Sequence, residues 1–192
     1  MHDSPPLQQV FSLGLATASV SFSEDTDGQL TLRSFRVRPA ADFPDLAESD
    51  HADVVAGVAQ RFSGALRGTS VLSMAPESAL AWSRSVLETP DGSVIDPERV
   101  ISTFVGLGSD LVGNLVAAVA QAMHGQPVEF DEASLCESSR VAIVLGTHPP
   151  GDTAVVTLGF DVEFGGEAYA AHVDLLLEPK LLPGDWAGPE SA

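Results

Sequence analysis

Two polar side chains one helical turn apart, Asp110 and Asn114, are the residues of this 192-residue chain whose types and spacing point most directly to shared chemistry. They interrupt Ser102 to Met123, STFVGLGSDLVGNLVAAVAQAM, a segment that is otherwise apolar with helical periodicity. Phe104, Gly108, Leu111, Leu115 and Val119 recur at three- and four-residue spacing, the signature of a buried helix face. Thr103, Asp110, Asn114 and Gln121 fall on another face. A separation of four sets the carboxylate and the amide one above the other, both within reach of a common partner. An asparagine in mid-helix competes with the backbone for hydrogen bonds and costs stability relative to alanine. The stripe is therefore either a functional face or a solvated one, and its surroundings must decide.

The elements that position this pair follow from pattern and punctuation. Asp96, Pro97 and Glu98 read as a helix start, with Asp as the cap and Pro at the first position, and the helix should run to His124 and Gly125. Leu7 to about Phe22 predicts a first helix, with Leu7, Val10, Phe11 and Ala18 inward and Gln8, Gln9, Ser12 and Ser19 outward. Gln29 to Arg38 alternates as a strand. Val54 to Phe62 and Thr69 to Met74 form a hairpin through Gly64 and Gly68, and Pro76 opens a helix to Glu88 ahead of a break at Thr89 to Ser93. Pro127 to Cys136 reads as a weak strand and Arg140 to Thr147 as a stronger one. Thr153 to Phe164 and Glu167 to Leu177 read as a long hairpin around Gly165 and Gly166. The expected architecture is α+β: a pseudo-duplicated helix–three-strand unit, about 5–90 and 96–182, forming one mostly antiparallel sheet covered by long helices. One domain over 1–182 and a C-terminal tail, 183–192, complete the organisation.

Composition narrows the function classes. With 44% hydrophobic and 19% charged residues the chain is expected to fold around a substantial core. It carries 27 acidic residues against 9 Lys and Arg, a formal charge of −18, which would repel phosphate backbones and anionic lipid. Neither nucleic acid nor a membrane surface is therefore an expected partner. MHDSPPLQQ lacks the basic and apolar regions of a signal peptide, and the apolar helix is broken by Ser109, Asp110 and Asn114, so a soluble, cytoplasmic protein is expected.

Other chemistries find little support. Cys136 is the single cysteine, which excludes a disulfide framework, and beside Leu135 it reads as a small buried hydrophobe. His2, His51, His124, His148 and His172 show no metal-ligand spacing, so no metal site or cofactor is expected. Gly146, Gly151 and Gly159 do not lie between a strand and a helix start, as a phosphate loop requires, and no Gly-x-Ser-x-Gly elbow marks a hydrolase. Trp82 reads as a core residue of its helix, and Trp186 in the tail as tucked back or meeting a partner.

The element order, with FSGALRGTSVLSMAPESALAWSRSVL, FVGLGSDLVGNLVAAVAQAM and the closing TAVVTLGFDVEFGGEAYAAHVDLLLEP, resembles the CheC, CheX and FliY family of chemotaxis phosphatases from about Leu7 to Leu182. That resemblance implies a regulator that hydrolyses the aspartyl phosphate of a CheY-like receiver. The family's functional helices carry Glu-x-x-Asn, whose Asn positions the attacking water and whose Glu anchors the docked receiver. Here Asn114 stands at the Asn position with Leu111 at the Glu position. The first half has Gln9 and Ser12 at those positions. Asn114 is thus implied as the catalytic position, with Asp110, Gln121, Gln9 and Ser12 as partner-binding candidates, Asp110 replacing the missing acid. With neither motif intact, activity is expected to be reduced or lost. The alternative is a non-catalytic module that uses the same helix face to bind a receiver, a CheD-like partner or a second copy of itself. Any Mg²⁺ the reaction needs would belong to the receiver.

Overall fold

The computed structural model of the chain describes residues 7–26, 28–42, 54–87, 96–147 and 153–178. The tail 183–192 with Trp186, the break at Thr89 to Ser93, and His2, His51 and His148 lie outside them. In chain order the elements are α1 (Leu7–Thr26), β1 (Gln29–Pro39), a short 3₁₀ turn (Ala40–Asp42), β2 (Val54–Gly64), β3 (Gly68–Met74), α2 (Pro76–Val86), α3 (Pro97–His124), β4 (Val128–Phe130), β5 (Ser134–Ser139), α4 (Arg140–Gly146), β6 (Ala154–Phe164) and β7 (Glu167–Leu177). Among the described residues the strands form one seven-stranded sheet in the order β1-β6-β7-β3-β2-β4, with β5 also on β2, and every pairing is antiparallel.

The strand order has an approximate symmetry. Hairpins β2–β3 and β6–β7 meet at the centre through β3 and β7, while β1 crosses to pair with β6 and β5 crosses to pair with β2. Strand β1 thus joins the later hairpin, and β4 and β5 join the earlier one. One face of the sheet is covered by α1, α2 and α3 over a core that includes Phe11, Phe22, Trp82, Phe104, Leu115, Leu158 and Phe160. Trp82 is fully buried as expected, with the rings of Phe22 and Phe104 centred 5.7 and 6.1 Å away. The other face carries a smaller cluster in which α4 sets Ile143 and Val144 against Ala59, Val71, Val155 and Leu176.

Three details depart from the sequence reading. Arg140 to Thr147 is not a strand: Arg140–Gly146 is a helix, capped by Ser139, whose hydroxyl accepts from Ala142 N–H. A short β-branched run is ambiguous by periodicity, and the open edge of β2 is already taken by β4 and β5. The chain must instead cross the sheet to reach β6, and a helix laid on the second face does so while burying its apolar side. Secondly, the single weak strand expected over Pro127 to Cys136 is two strands, both on β2, joined around Asp131, whose N–H donates to Arg61 C=O. Thirdly, the alternation of β1 slips by one at a bulge between Leu32 and Ser34. The extra residue brings Leu30 and Leu32 onto the same face as Phe35 and Val37, all four packed on the main core.

Helix α3 fixes the geometry of the polar stripe. Its Asp96 cap accepts from Glu98 N–H at 3.1 Å, Pro97 opens the first turn, and Gly125 ends the helix in the left-handed conformation at φ 65°. By length and composition α3 is apolar enough to cross a bilayer. Its apolar side chains are nevertheless used internally: Phe104, Leu111, Val112, Leu115, Val116, Val119 and Ala120 are all buried. Helix α1 packs alongside it with Gly14 at the contact, where a Cβ would lie 2.7 Å from Val119 Cγ2 and 3.2 Å from the Leu115 carbonyl oxygen. Gly14→Val should consequently force the two helices apart and lower unfolding stability by about 2 kcal/mol, read as a lower denaturant midpoint at unchanged slope.

Candidate functional site

Asp110 and Asn114 line one shallow depression of about 200 Å³ together with Gln60, Ser109, Gly113 and Phe130. The helix supplies one wall and β2 and β4 supply the other, so the depression lies at the β4 side of the sheet. Asp110 is exposed and Asn114 half-buried. Among the described residues the Asn114 amide makes no side-chain hydrogen bond, so both its donor and its acceptor remain available in a mid-helix position where alanine would be more stable. Glycine at position 113 leaves the surface between the two polar groups open, with nothing within 4 Å of where its Cβ would stand.

The floor of the site is held by a residue that periodicity alone does not flag. Gln60 on β2 is 8% exposed; its amide nitrogen donates to Asp131 C=O at 2.9 Å and its amide oxygen accepts from Ser109 Oγ at 3.2 Å. One buried amide thus ties α3 to the sheet and to the β4–β5 connection directly beneath Asp110. Gln60→Leu should leave Ser109 and the Asp131 carbonyl without these partners and cost about 1–3 kcal/mol, measured by urea unfolding. The sequence signal for Gln60 is a polar residue in an otherwise apolar strand, but its partners lie 49 and 71 positions away.

The other candidates do not join this depression. Gln121 is exposed nearly two turns further along α3, while Gln9 is exposed and Ser12 half-buried on α1. Leu111, for which the resemblance implies the Glu position, is 3% exposed and belongs to the core. Burial along the two long helices aligns Val10 with Leu111, Phe11 with Val112, Gly14 with Leu115, Leu15 with Val116 and Ala18 with Val119. The contact of Gly14 with Leu115, two residues equivalent in this alignment, is what a pseudo-two-fold axis between the helices requires. In this register Gln9 corresponds to Asp110 and Leu13 to Asn114. This register sets Ser12 against Gly113 rather than Asn114, so it differs by one residue from the pairing of Gln9 and Ser12 with Leu111 and Asn114 that the resemblance implies. Among the described residues no group of three or more His, Cys, Asp or Glu is placed to hold a metal ion.

No protein-family model matches the sequence, and no curated protein matches it. Solved structures do. FliY of Thermotoga maritima superposes with a TM-score of 0.69 at 13% identity, covering 94% of this chain and 94% of that one. A chain of the FliG-FliM complex from H. pylori gives 0.62 at 11% identity over 88% and 90%. CheX from Desulfovibrio desulfuricans gives 0.59 at 11% identity over 87% and 99%. The FliM middle domain of Vibrio alginolyticus gives 0.58 at 14% identity over 92% and 100%. The order of strands, the paired long helices and the extent of these superpositions agree: the chain has the fold of FliY, of the chemotaxis protein CheX and of the FliM middle domain.

Proposed function

We propose that the chain is a divergent CheC/CheX/FliY-type regulator that docks on a phosphorylated CheY-like receiver and hydrolyses its aspartyl phosphate at the Asp110–Asn114 depression. The observation that carries this reading is the uncommitted amide of Asn114, set in an open depression beside an exposed carboxylate. An acyl phosphate is already activated, so orienting one water in line with the scissile bond supplies much of the acceleration. The Asn114 carbonyl oxygen accepts a hydrogen bond from that water, and its N–H donates to a phosphoryl oxygen. The water oxygen then bonds to phosphorus, the bond to the receiver's aspartate breaks, and inorganic phosphate leaves with the carboxylate restored. Asp110 contributes a charge contact at the rim to a basic group of the receiver. Magnesium held by the receiver would offset phosphoryl charge.

One observation favours a non-catalytic second reading. Leu13 occupies the place of Asn114 in the first half, and the fold is shared with FliM, which is found in complexes with FliG and with SpeE. A module of this kind would bind a receiver, a CheD-like protein or another partner through the same helices without hydrolysis. Docking is tested by titrating the chain into a receiver from the same organism, with and without beryllofluoride to mimic the phosphoryl group. Binding should be stronger with beryllofluoride, and Asp110→Arg should weaken it by about tenfold, since it reverses an exposed interfacial charge. Equal binding of both receiver forms, unaffected by Asp110→Arg, would place the receiver elsewhere.

A further inference from the structure

An asparagine directs a water only when its amide points along a fixed line, and the apolar seam of α3 is not enough to fix one. Phe104, Leu111, Leu115 and Val119 hold the helix down on the core, but burial of this kind is non-directional. Direction comes from hydrogen bonds. Ser109, one residue before Asp110, donates from Oγ to Gln60 Oε1 at 3.2 Å, and Gln60 Nε2 donates to Asp131 C=O at 2.9 Å. Asp131 follows Phe130, the last residue of β4, and its own N–H donates to Arg61 C=O at 3.0 Å. The relay thus runs from hydroxyl to amide to carbonyl across the floor of the depression, joining the wall that carries Asp110 and Asn114 to the wall that carries Phe130. An apolar pair of the same shape would hold α3 on β2 about as firmly, so what the buried amide adds is orientation.

We propose that Gln60 is a positioning residue for the phosphoryl reaction: it sets the roll of α3 against β4, and with it the line along which the Asn114 amide presents water. Such a role rests on the hydrolysis proposed above and lies outside the helix that carries the polar pair. The approximate symmetry of the sheet supplies an internal comparison. Strands β2 (Val54–Gly64) and β6 (Ala154–Phe164) are both eleven residues long, and laid end to end they set Gln60 against Phe160, which is buried in the main core beside Leu32 of β1. In the register of the two helices Ser109 falls against exposed Gln8, and Asn114 against Leu13. The side of the molecule with Leu13 therefore has an apolar floor, and the side with Asn114 has a hydrogen-bonded one. In-line attack tolerates little displacement, and a misplacement near 1 Å can cost about a hundredfold. Gln60 touches neither water nor phosphorus; it acts through Ser109 and through the backbone that follows Phe130.

Decay of a phosphorylated CheY-like receiver from the same organism, followed with the chain in increasing excess, separates the rate at saturation from the concentration that half-saturates it. Gln60→Met keeps the length and bulk of the side chain and removes both bonds. It should lower the saturated rate at least about tenfold while half-saturation stays within about twofold, because exposed Asp110 at the rim is unchanged. Ser109→Ala breaks only the helix end of the relay and should lower the saturated rate in the same direction; it carries the test if Gln60→Met does not fold. The double variant should be no slower than Gln60→Met, since both changes interrupt one relay. A purely structural Gln60 would lower the urea midpoint and leave the saturated rate of the folded chain unmoved. Wild-type acceleration with an unchanged saturated rate in Ser109→Ala or in folded Gln60→Met, or a loss confined to half-saturation, would overturn the positioning role and leave hydrolysis standing. A wild-type chain that does not accelerate decay would overturn both.

Discussion

Replacing Asn114 by alanine should remove most of the chain-dependent acceleration of receiver dephosphorylation while leaving receiver binding within about twofold. The amide is assigned to the transition state, where it fixes the direction of water attack. Its loss should cost about a hundredfold in the catalysed rate constant, near 2.7 kcal/mol, typical of one positioned hydrogen-bonding group. Folding cannot account for such a loss. Asn114 makes no side-chain hydrogen bond among the described residues, and alanine is the better helix former, so the variant should gain up to about 0.7 kcal/mol of stability. Thermal unfolding of the same sample checks that sign. Loss of activity accompanied by a higher melting temperature is hard to reproduce with a merely structural asparagine.

The largest stability effect is expected on the opposite face of the sheet. Asp174 on β7 is fully buried, and Arg140 at the start of α4 grips it through two hydrogen bonds, Nε to Oδ2 at 2.7 Å and Nη2 to Oδ1 at 2.6 Å. Thr157 Oγ1 on β6 donates to Oδ1 at 2.7 Å. These contacts join α4 to the centre of the sheet. Asp174→Ala would strand a largely buried guanidinium and the Thr157 hydroxyl, at a cost of about 3–5 kcal/mol and roughly a 10 °C fall in melting temperature for a chain of this size. Removing both charges is a different matter. A buried pair pays desolvation for both ions, so Asp174→Leu with Arg140→Met should recover most of the loss. Asp174→Leu and Arg140→Met made singly form a cycle with the double variant, whose coupling term should approach the cost of either single change. Receiver dephosphorylation should be unaffected at temperatures where the variant is folded, since Asn114 lies on the other side of the sheet.

Local signals were legible in the sequence wherever they sufficed. The Asp96 cap, Pro97 and Gly125 delimit α3, and the spacing of Phe104, Leu111 and Leu115 assigns its buried face, as observed. The hairpins around Gly64 and around Gly165 and Gly166 follow from turn chemistry, the three glycines having positive φ. Arg140 to Thr147, expected as a strand, is a helix because eight residues of mixed β-branched character cannot choose by periodicity alone, and the edge of β2 is already taken by β4 and β5. At the site, the Asp110–Asn114 pair is a one-turn relation that helical periodicity exposes. Gln60 and Phe130 are brought there only by the pairing of β2 with β4, and such long-range register is not written in either segment alone. The correspondence of Leu13 with Asn114 was similarly hidden, because it rests on burial along both helices and on the Gly14 contact.

The central claim is that this chain hydrolyses a receiver's aspartyl phosphate, and decay of a phosphorylated CheY-like receiver from the same organism tests it most directly. The decay rate should rise with added chain and saturate, and it should return to the receiver's own rate with Asn114→Ala at concentrations where binding is still complete. A rate that stays at the receiver's own value while the wild-type chain is demonstrably bound would contradict catalysis and leave a binding module on the same fold.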